Sequence, residues 1–215
     1  MTESGTVTLL YTDLVSSTQH LQRAGDEAGE RLFQVHHKLM TDAVMAGGGQ
    51  ELKWLGDGLL AAFPSAADAV RCAVSVQQTA GRPTAGVRFE IRVGIHMGEV
   101  LRREGGYFGT PLVVARQLCD RASSGQILCS RLIAELPASR QAFSFRDIGA
   151  IEMKDIATPL GICEVIYERN DPAMMLNRTP FVGRAAQLKR LSAKLEEARN
   201  GRGSIAMLRG EPGIG

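Results

Sequence analysis

A chain of 215 residues, 44% hydrophobic and 22% charged, has the apolar mass for a globular core and the length for one domain of about 150 residues plus a remainder. That balance excludes intrinsic disorder, collagen-like repeats and disulfide scaffolds, and no apolar run approaches the roughly 18 residues needed to cross a bilayer. Residues 1–177 hold 17 Lys and Arg against 20 Asp and Glu, whereas residues 178–202 hold seven basic and two acidic side chains. An acidic body has no general attraction for nucleic acid, so no direct nucleic-acid binding is expected of it, and the basic stretch reads as a solvated helix face.

The β-branched, apolar run over residues 6–12 predicts a buried strand that stops at Asp13. Residues 18–46 read as helix, interrupted near Gly25 and Gly29, with Leu32, Val35, Leu39 and Ala43 on one face and three glycines, Gly47 to Gly49, ending it. A hairpin follows: strand 50–55, a Gly56-Asp57-Gly58 turn, strand 59–63. Ser65 opens the next helix with Asp68 as capping-box partner, and Ala66, Ala69, Val70, Ala73 and Val74 form its apolar stripe.

Strands are expected at 88–96 and again at 99–103, then a glycine-rich loop over 105–109 and a helix over 111–122 with Pro111 in its first turn. Three more strands are read at 126–129, 143–147 and 162–167. This irregular alternation of strands and helices, with hairpins, predicts an α+β sandwich rather than a doubly wound sheet. Residues 168–180 are polar with two prolines and read as a linker; beyond them lie a helical stripe (Leu188, Leu191, Leu195, Ala198) and a strand-like 204–208. The four cysteines are scattered without a CxxC pair, as reduced core thiols are. The first five residues lack the basic and apolar segments of a signal peptide, so a cytoplasmic location is expected.

Asp13 ends a buried strand and Asp57 occupies a hairpin turn. If those strands are neighbours, both carboxylates leave the same edge of the sheet, an arrangement that suits Mg²⁺ or Mn²⁺ with open positions for phosphate oxygens. Spacing alone favours another reading: Asp13 as a helix cap and Asp57 as a turn former. Lys53 lies four residues before Asp57, which in an extended chain returns it to the same face, where an ammonium could meet a base or a phosphate.

The segments Leu10 to Thr18 (LYTDLVSST), Leu52 to Gly58 (LKWLGDG) and Arg92 to Val100 (RVGIHMGEV), with Tyr107-Phe108-Gly109 and Gly125 to Ser130 (GQILCS), resemble in order and spacing the class III adenylyl and guanylyl cyclase catalytic domains. The resemblance spans residues 5–168. It implies an antiparallel, ferredoxin-like sheet with helices. It also implies two Mg²⁺ or Mn²⁺ ions on Asp13 and Asp57, ATP or GTP as substrate, and a head-to-tail dimer, either of this chain or with a more complete cyclase. Lys53 matches the base-selecting lysine of adenylyl cyclases, and Lys154 resembles a late phosphate-contacting lysine. His96 carries no proton-transfer role in this resemblance, and His36 and His37 read as ordinary helix residues.

The departures from the family pattern are specific. Gly106 stands where an Asp partners the base-selecting lysine, and Val113 and Gln117 stand where an Asn and an Arg contact the transition state. Arg116 is adjacent, but one helical step turns a side chain by about 100°. Losing one preorganised donor typically costs about 10²–10³ in rate, so weak turnover is expected of a homodimer. At the far end, Phe181-Val182-Gly183-Arg184 and the glycines Gly210, Gly213 and Gly215 resemble the opening of an AAA- or STAND-type ATPase, whose phosphate loop would need a Lys and then a Ser or Thr next. The expected organisation is a cyclase-homology domain over 1–168, a linker over 169–180 and the start of an ATPase domain over 181–215 in a longer regulator.

Overall fold

Strand β1 (Glu3–Leu14) lies between β3 (Gly58–Phe63) and β4 (Ile91–Arg103) and pairs antiparallel with both. The structure, a computed structural model, describes residues 3–15, 26–82, 89–103, 106–169 and 185–207. Strand β1 does not stop at Asp13: Asp13 and Leu14 still pair with Arg92 and Ile91. The two strands expected at 88–96 and 99–103 are one, because β1 offers β4 an unbroken partner from Glu3 to Leu14. Residues 18–25 of the expected first helix lie outside the described residues, and α1 runs Asp26–Ala46. The hairpin forms as read, with β2 (Gln50–Leu55) joined to β3 and a bulge between Glu51 and Lys53.

Alternation along β1 sends Leu10 to one face of the sheet and Leu9 and Tyr11 to the other. On the first face, Leu10, Leu59, Ala61, Phe63, Ile91, Val93 and Ile95 pack under α1 and α2 (Ala66–Ala80). Helix α2 begins as predicted, the Asp68 N–H donating to Ser65 Oγ at 3.3 Å, although the Asp68 carboxylate pairs with Arg71 instead of closing the capping box. On the second face, Leu9, Tyr11, Leu60, Ala62 and Val100 meet Ala115 and Cys119 of α3 (Thr110–Arg121).

Two glycines of the RVGIHMGEV segment let α3 approach β4. A Cβ on Gly94 would lie 2.3 Å from both the Ala115 carbonyl oxygen and the Cys119 nitrogen, and one on Gly98 would lie 2.6 Å from Pro111. Helix backbone therefore rests directly on strand backbone at Gly94. The other flank of α3, through Val114 and Leu118, packs on Leu128, Met153 and Ile162.

Residues 106–108 are not loop but β5 (Gly106–Phe108), paired with Leu101 to Arg103 of β4. Strand β6 (Ile127–Ser130) runs parallel to β4, and β8 (Leu160–Ile166) then joins β6 and β7 (Ser144–Ile151) antiparallel. Two short helices absent from the sequence reading, α4 (Arg131–Glu135) and α5 (Pro137–Ala142), connect β6 to β7. The order across the sheet is β2-β3-β1-β4-β6-β8-β7, with β5 off β4. The expected α+β class holds, with a sheet antiparallel except at β4–β6. All four cysteines are buried free thiols, and burial pushes the Cys72 thiol up to about 12.

Backbone contacts divide the chain into Met1–Pro172 and Ala173–Gly215. In the second unit α6 (Ala185–Arg199) carries exposed ion pairs, Lys194 with Glu197 and Arg199 with Glu196. Residues 204–207, read as strand, have no regular structure: Ile205 and Met207 stand exposed with no neighbouring strand among the described residues. Most of the expected linker lies outside the described residues.

Two outcomes follow from this packing. Gly94→Ala must lift α3 from β4, and an overpacked contact of this kind costs about 1–3 kcal/mol, read as a lower urea midpoint at unchanged slope. His36 on α1 is 1% exposed between Phe89 and Trp54, with no hydrogen-bond partner for either ring nitrogen among the described residues. Burial pushes its pKa down from 6.5 to about 4, so the unfolded chain takes up a proton that the native chain refuses, and stability falls as pH drops through that interval. His36→Leu is expected to flatten the fall in melting temperature between pH 6.5 and 4; an equally steep fall in the variant would contradict the assignment.

Candidate functional site

The LYTDLVSST and LKWLGDG segments meet through the β1–β3 pairing. Thr12 lies opposite Leu59, and Leu55 opposite Gly58 closes a two-residue turn of Gly56 and Asp57. Gly56 has φ 70°, the left-handed value required at the first central position of a type II′ hairpin turn. A Cβ on Gly58 would stand 2.7 Å from the Thr12 carbonyl oxygen and 3.4 Å from Asp13 Oδ1. The end of β1 and the turn carrying Asp57 are thus in direct contact, with glycine leaving Asp13 Oδ1 open on that side. Asp57 is half-buried and within electrostatic reach of His36. Among the described residues, no three His, Cys, Asp or Glu side chains gather into one cluster.

Asp13 is not a helix cap. It shares the α3 face with Tyr11, where Arg92 faces it across the β1–β4 ladder. Both Arg92 Nε, at 2.8 Å, and Nη2 donate to the same oxygen, Asp13 Oδ2, while Nη1 donates to the Asp120 carbonyl at 3.0 Å. Arg116 from α3 extends the network: Nη1 donates to the Tyr11 hydroxyl at 2.6 Å, Nε to the Asp120 carboxylate at 3.2 Å, and the guanidinium lies 4.8 Å over the Tyr11 ring. Burial pushes the Tyr11 hydroxyl's pKa up although Arg116 opposes the shift. Arg116 is therefore committed within its own chain and is turned away from the Gln117 position, as the helical step predicts.

The remaining expected site residues are dispersed. Lys53 is exposed on β2 opposite Leu60. It does not share a continuous strand face with Asp57, because β2 ends at Leu55 and the chain turns before Asp57. Gly106 opens β5 with φ 134°, a backbone that side-chain-bearing residues rarely adopt. Val113 is an exposed apolar residue on α3. Gln117, one turn later, spends both ends of its amide on one backbone unit: Nε2 donates to the Lys154 carbonyl at 2.8 Å and Oε1 accepts from the Lys154 N–H at 2.9 Å. Arg121 donates to the Glu152 carbonyl, Met153 is buried against α3, and Asp155 takes φ 63°, so the turn presenting Lys154 is fastened to α3 at several points. Burial pushes the pKa of His96 down to about 4, which favours its neutral form near pH 7. Gly210, Gly213 and Gly215 lie outside the described residues.

Residues 1–165 match the family model described as the Adenylate and Guanylate cyclase catalytic domain. The chain belongs to that family. An uncharacterised Mycobacterium tuberculosis H37Rv protein is 29% identical over 202 residues, covering 86% of this chain and 69% of its own length. The cyclase fold is shared with adenylyl cyclase CyaB from P. aeruginosa, at a TM-score of 0.69 and 22% identity over 80% of this chain and 98% of that one. It is shared too with an adenylate/guanylate cyclase/hydrolase from Silicibacter pomeroyi, at 0.67 and 26% over 77% and 99%. Class III cyclase domains generally use two divalent metal ions.

The donors present fit such ions chemically: Asp13 Oδ1 is left unused by Arg92 beside Gly58, the Asp57 turn abuts it, and carboxylate oxygens are the hard ligands Mg²⁺ and Mn²⁺ take. Sequence reasoning quoted Arg92 without giving it a role. The sequence held no clear signal for it: Ile91 and Val93 face α1 and α2, so an arginine alternating with them reads as an ordinary position on the opposite face of the strand. Replacing Gln117 by Leu should release the Lys154 amide, seen as faster hydrogen exchange at that N–H with α3 amides still protected; unchanged exchange would show that the turn holds itself.

Proposed function

We propose that this cyclase domain converts ATP, or less readily GTP, to a 3′,5′-cyclic nucleotide and pyrophosphate, at a low rate. The juxtaposition of Asp13 with the Asp57 turn carries the reading. Two divalent ions, when held by the Asp13 and Asp57 carboxylates, would supply charge neutralisation at the triphosphate and acidify the attacking 3′-hydroxyl. Lys53 would contact the base without an acidic partner, since Gly106 stands in that partner's place, and Lys154, on its fastened turn, would meet phosphate oxygens. Val113 and Gln117 offer the transition state no cation: one is apolar and the other is engaged with backbone. A head-to-tail dimer, of this chain with itself or with a more complete cyclase, is part of the proposal, and the same deficiency favours a partner that brings the missing Asn and Arg.

A second reading rests on the committed amide of Gln117 and the committed guanidinium of Arg116: a domain that binds nucleotide and dimerises without turnover, regulating an ATPase region that begins near Phe181. No helix among the described residues is long and apolar enough to cross a membrane, and a cytoplasmic site of action is part of the proposal.

Incubation with ATP and Mn²⁺ is expected to yield slow cyclic AMP formation, reduced to background by Asp57→Ala. Val113→Asn/Gln117→Arg should recover about tenfold, below the 10²–10³ of one full donor because the exchange also frees the Lys154 turn. Metal-dependent ATP binding with no product from either form would select the second reading; turnover indifferent to Asp57→Ala would remove the metal assignment.

A further inference from the structure

We propose that Cys129 and Cys163 form a redox-responsive dithiol, which hydrogen peroxide converts to a disulfide joining β6 to β8. The pair lies on the opposite face of the sheet from Asp13 and α3.

The sheet brings together two thiols that the sequence holds apart. Cys129 and Cys163 are direct partners in the antiparallel β6–β8 register, and both side chains enter the core on the α1 and α2 side. Directly opposed residues of an antiparallel pair have Cα atoms about 4.5–5.5 Å apart, inside the range of about 4.4–6.8 Å that a disulfide spans. Because the side chains share a face, rotation about their own bonds brings the sulfurs together without a change of register. Cys72 and Cys119 lie on helices α2 and α3, with no strand register to hold a second thiol opposite them.

The two thiols are not equivalent. Cys129 is 0% exposed and has Ile95 of β4 on its other side, whereas Cys163 is 4% exposed and has Asp147 of the edge strand β7 on its other side. Arg131, at the start of α4, reaches across that edge. Its Nη2 donates to Asp147 Oδ1 at 2.7 Å and Oδ2 at 2.9 Å, and its guanidinium also hydrogen-bonds the Cys163 sulfur. Burial and the Asp147 charge push the Cys163 thiol's pKa up while Arg131 pulls it down; at Cys129, burial and the neighbouring Cys163 both push up. A guanidinium on sulfur favours the thiolate, the form that attacks a peroxide. Cys163 therefore reacts first and Cys129 resolves it.

The Cys163 thiolate attacks one oxygen of hydrogen peroxide, the O–O bond breaks and hydroxide leaves, giving a sulfenic acid at Cys163. The Cys129 sulfur then attacks the Cys163 sulfur, the S–O bond breaks, and the departing hydroxide carries off the Cys129 proton as water. Two thiols and one peroxide become one disulfide and two waters, both sulfurs oxidised and both peroxide oxygens reduced. The bond closes a loop over residues 130–162, which holds α4, α5, β7 and the Lys154 turn. Strand β8 meets β6 at three register pairs, so a covalent link at the middle one restrains the opening of β7 and β8 from the rest of the sheet.

Exposure of the reduced full chain to hydrogen peroxide, followed by blocking of the remaining thiols and digestion without reductant, tests this. The chain should lose two of its four alkylatable thiols, and trypsin should release peptide 122–131 joined to peptide 155–169. Dithiothreitol should restore both thiols, and β8 amides should exchange at least about threefold more slowly in the oxidised form. In Cys129→Ser the sulfenic acid should persist at Cys163 and be captured by dimedone; Cys163→Ser should show no capture at Cys129. Arg131→Gln should slow disulfide formation at least about threefold, and Arg131→Lys by less. Four thiols retained, a bond to Cys72 or Cys119, or sulfinic acid in place of a bond overturns the pairing, and the wild-type map decides this whatever the variants do. An unchanged rate in Arg131→Gln, or a dimedone adduct on Cys129, overturns the order of reaction. Equal β8 exchange in the two forms overturns the restraint.

Discussion

The contact of α3 with β4 at Gly94 governs most of what this domain does. With hydrogen in place of a side chain, helix backbone reaches strand backbone, and every functional position on α3 takes its height above the sheet from that touch. Asp120 reaches Arg92, Arg116 reaches Tyr11, and Gln117 reaches the turn beyond β7 because the helix lies this low. Gly98 against Pro111 sets the other end of the same seat. The glycines of the RVGIHMGEV segment are thus packing residues that act on chemistry at one remove.

The local features were legible in the sequence. Ser65 as a cap, the glycine-flanked turn at Asp57 and the apolar stripe of α2 each depend on residues within a few positions of one another. What escaped needed a partner distant in the chain. A single β4 across 91–103 is specified by β1, eighty-odd residues earlier, and the pairing of Asp13 with Arg92 is specified by the register between them. Helices α4 and α5 are five and six residues long, too short for periodicity to reveal. The Tyr107 segment read as loop because its glycines are turn formers, yet the positive φ of Gly106 serves a strand start.

The candidate site was legible as a set of residues and not as a set of relations. The end of β1 that carries Asp13 adjoins Gly58, the residue after Asp57. The cation already on Asp13 and the use to which Gln117 is put came only from geometry. Substituting the family's arginine with glutamine reads in the sequence as a subtraction. In the fold it is also an addition, because a neutral amide can both donate and accept, and a peptide unit needs both.

That dual use constrains what the position can hold. Because the Gln117 amide braces the Lys154 turn through one donated and one accepted bond, any side chain that cannot do both leaves a peptide unit of that turn to find other partners. A change on α3 is thereby felt in a segment thirty-seven positions further along the chain.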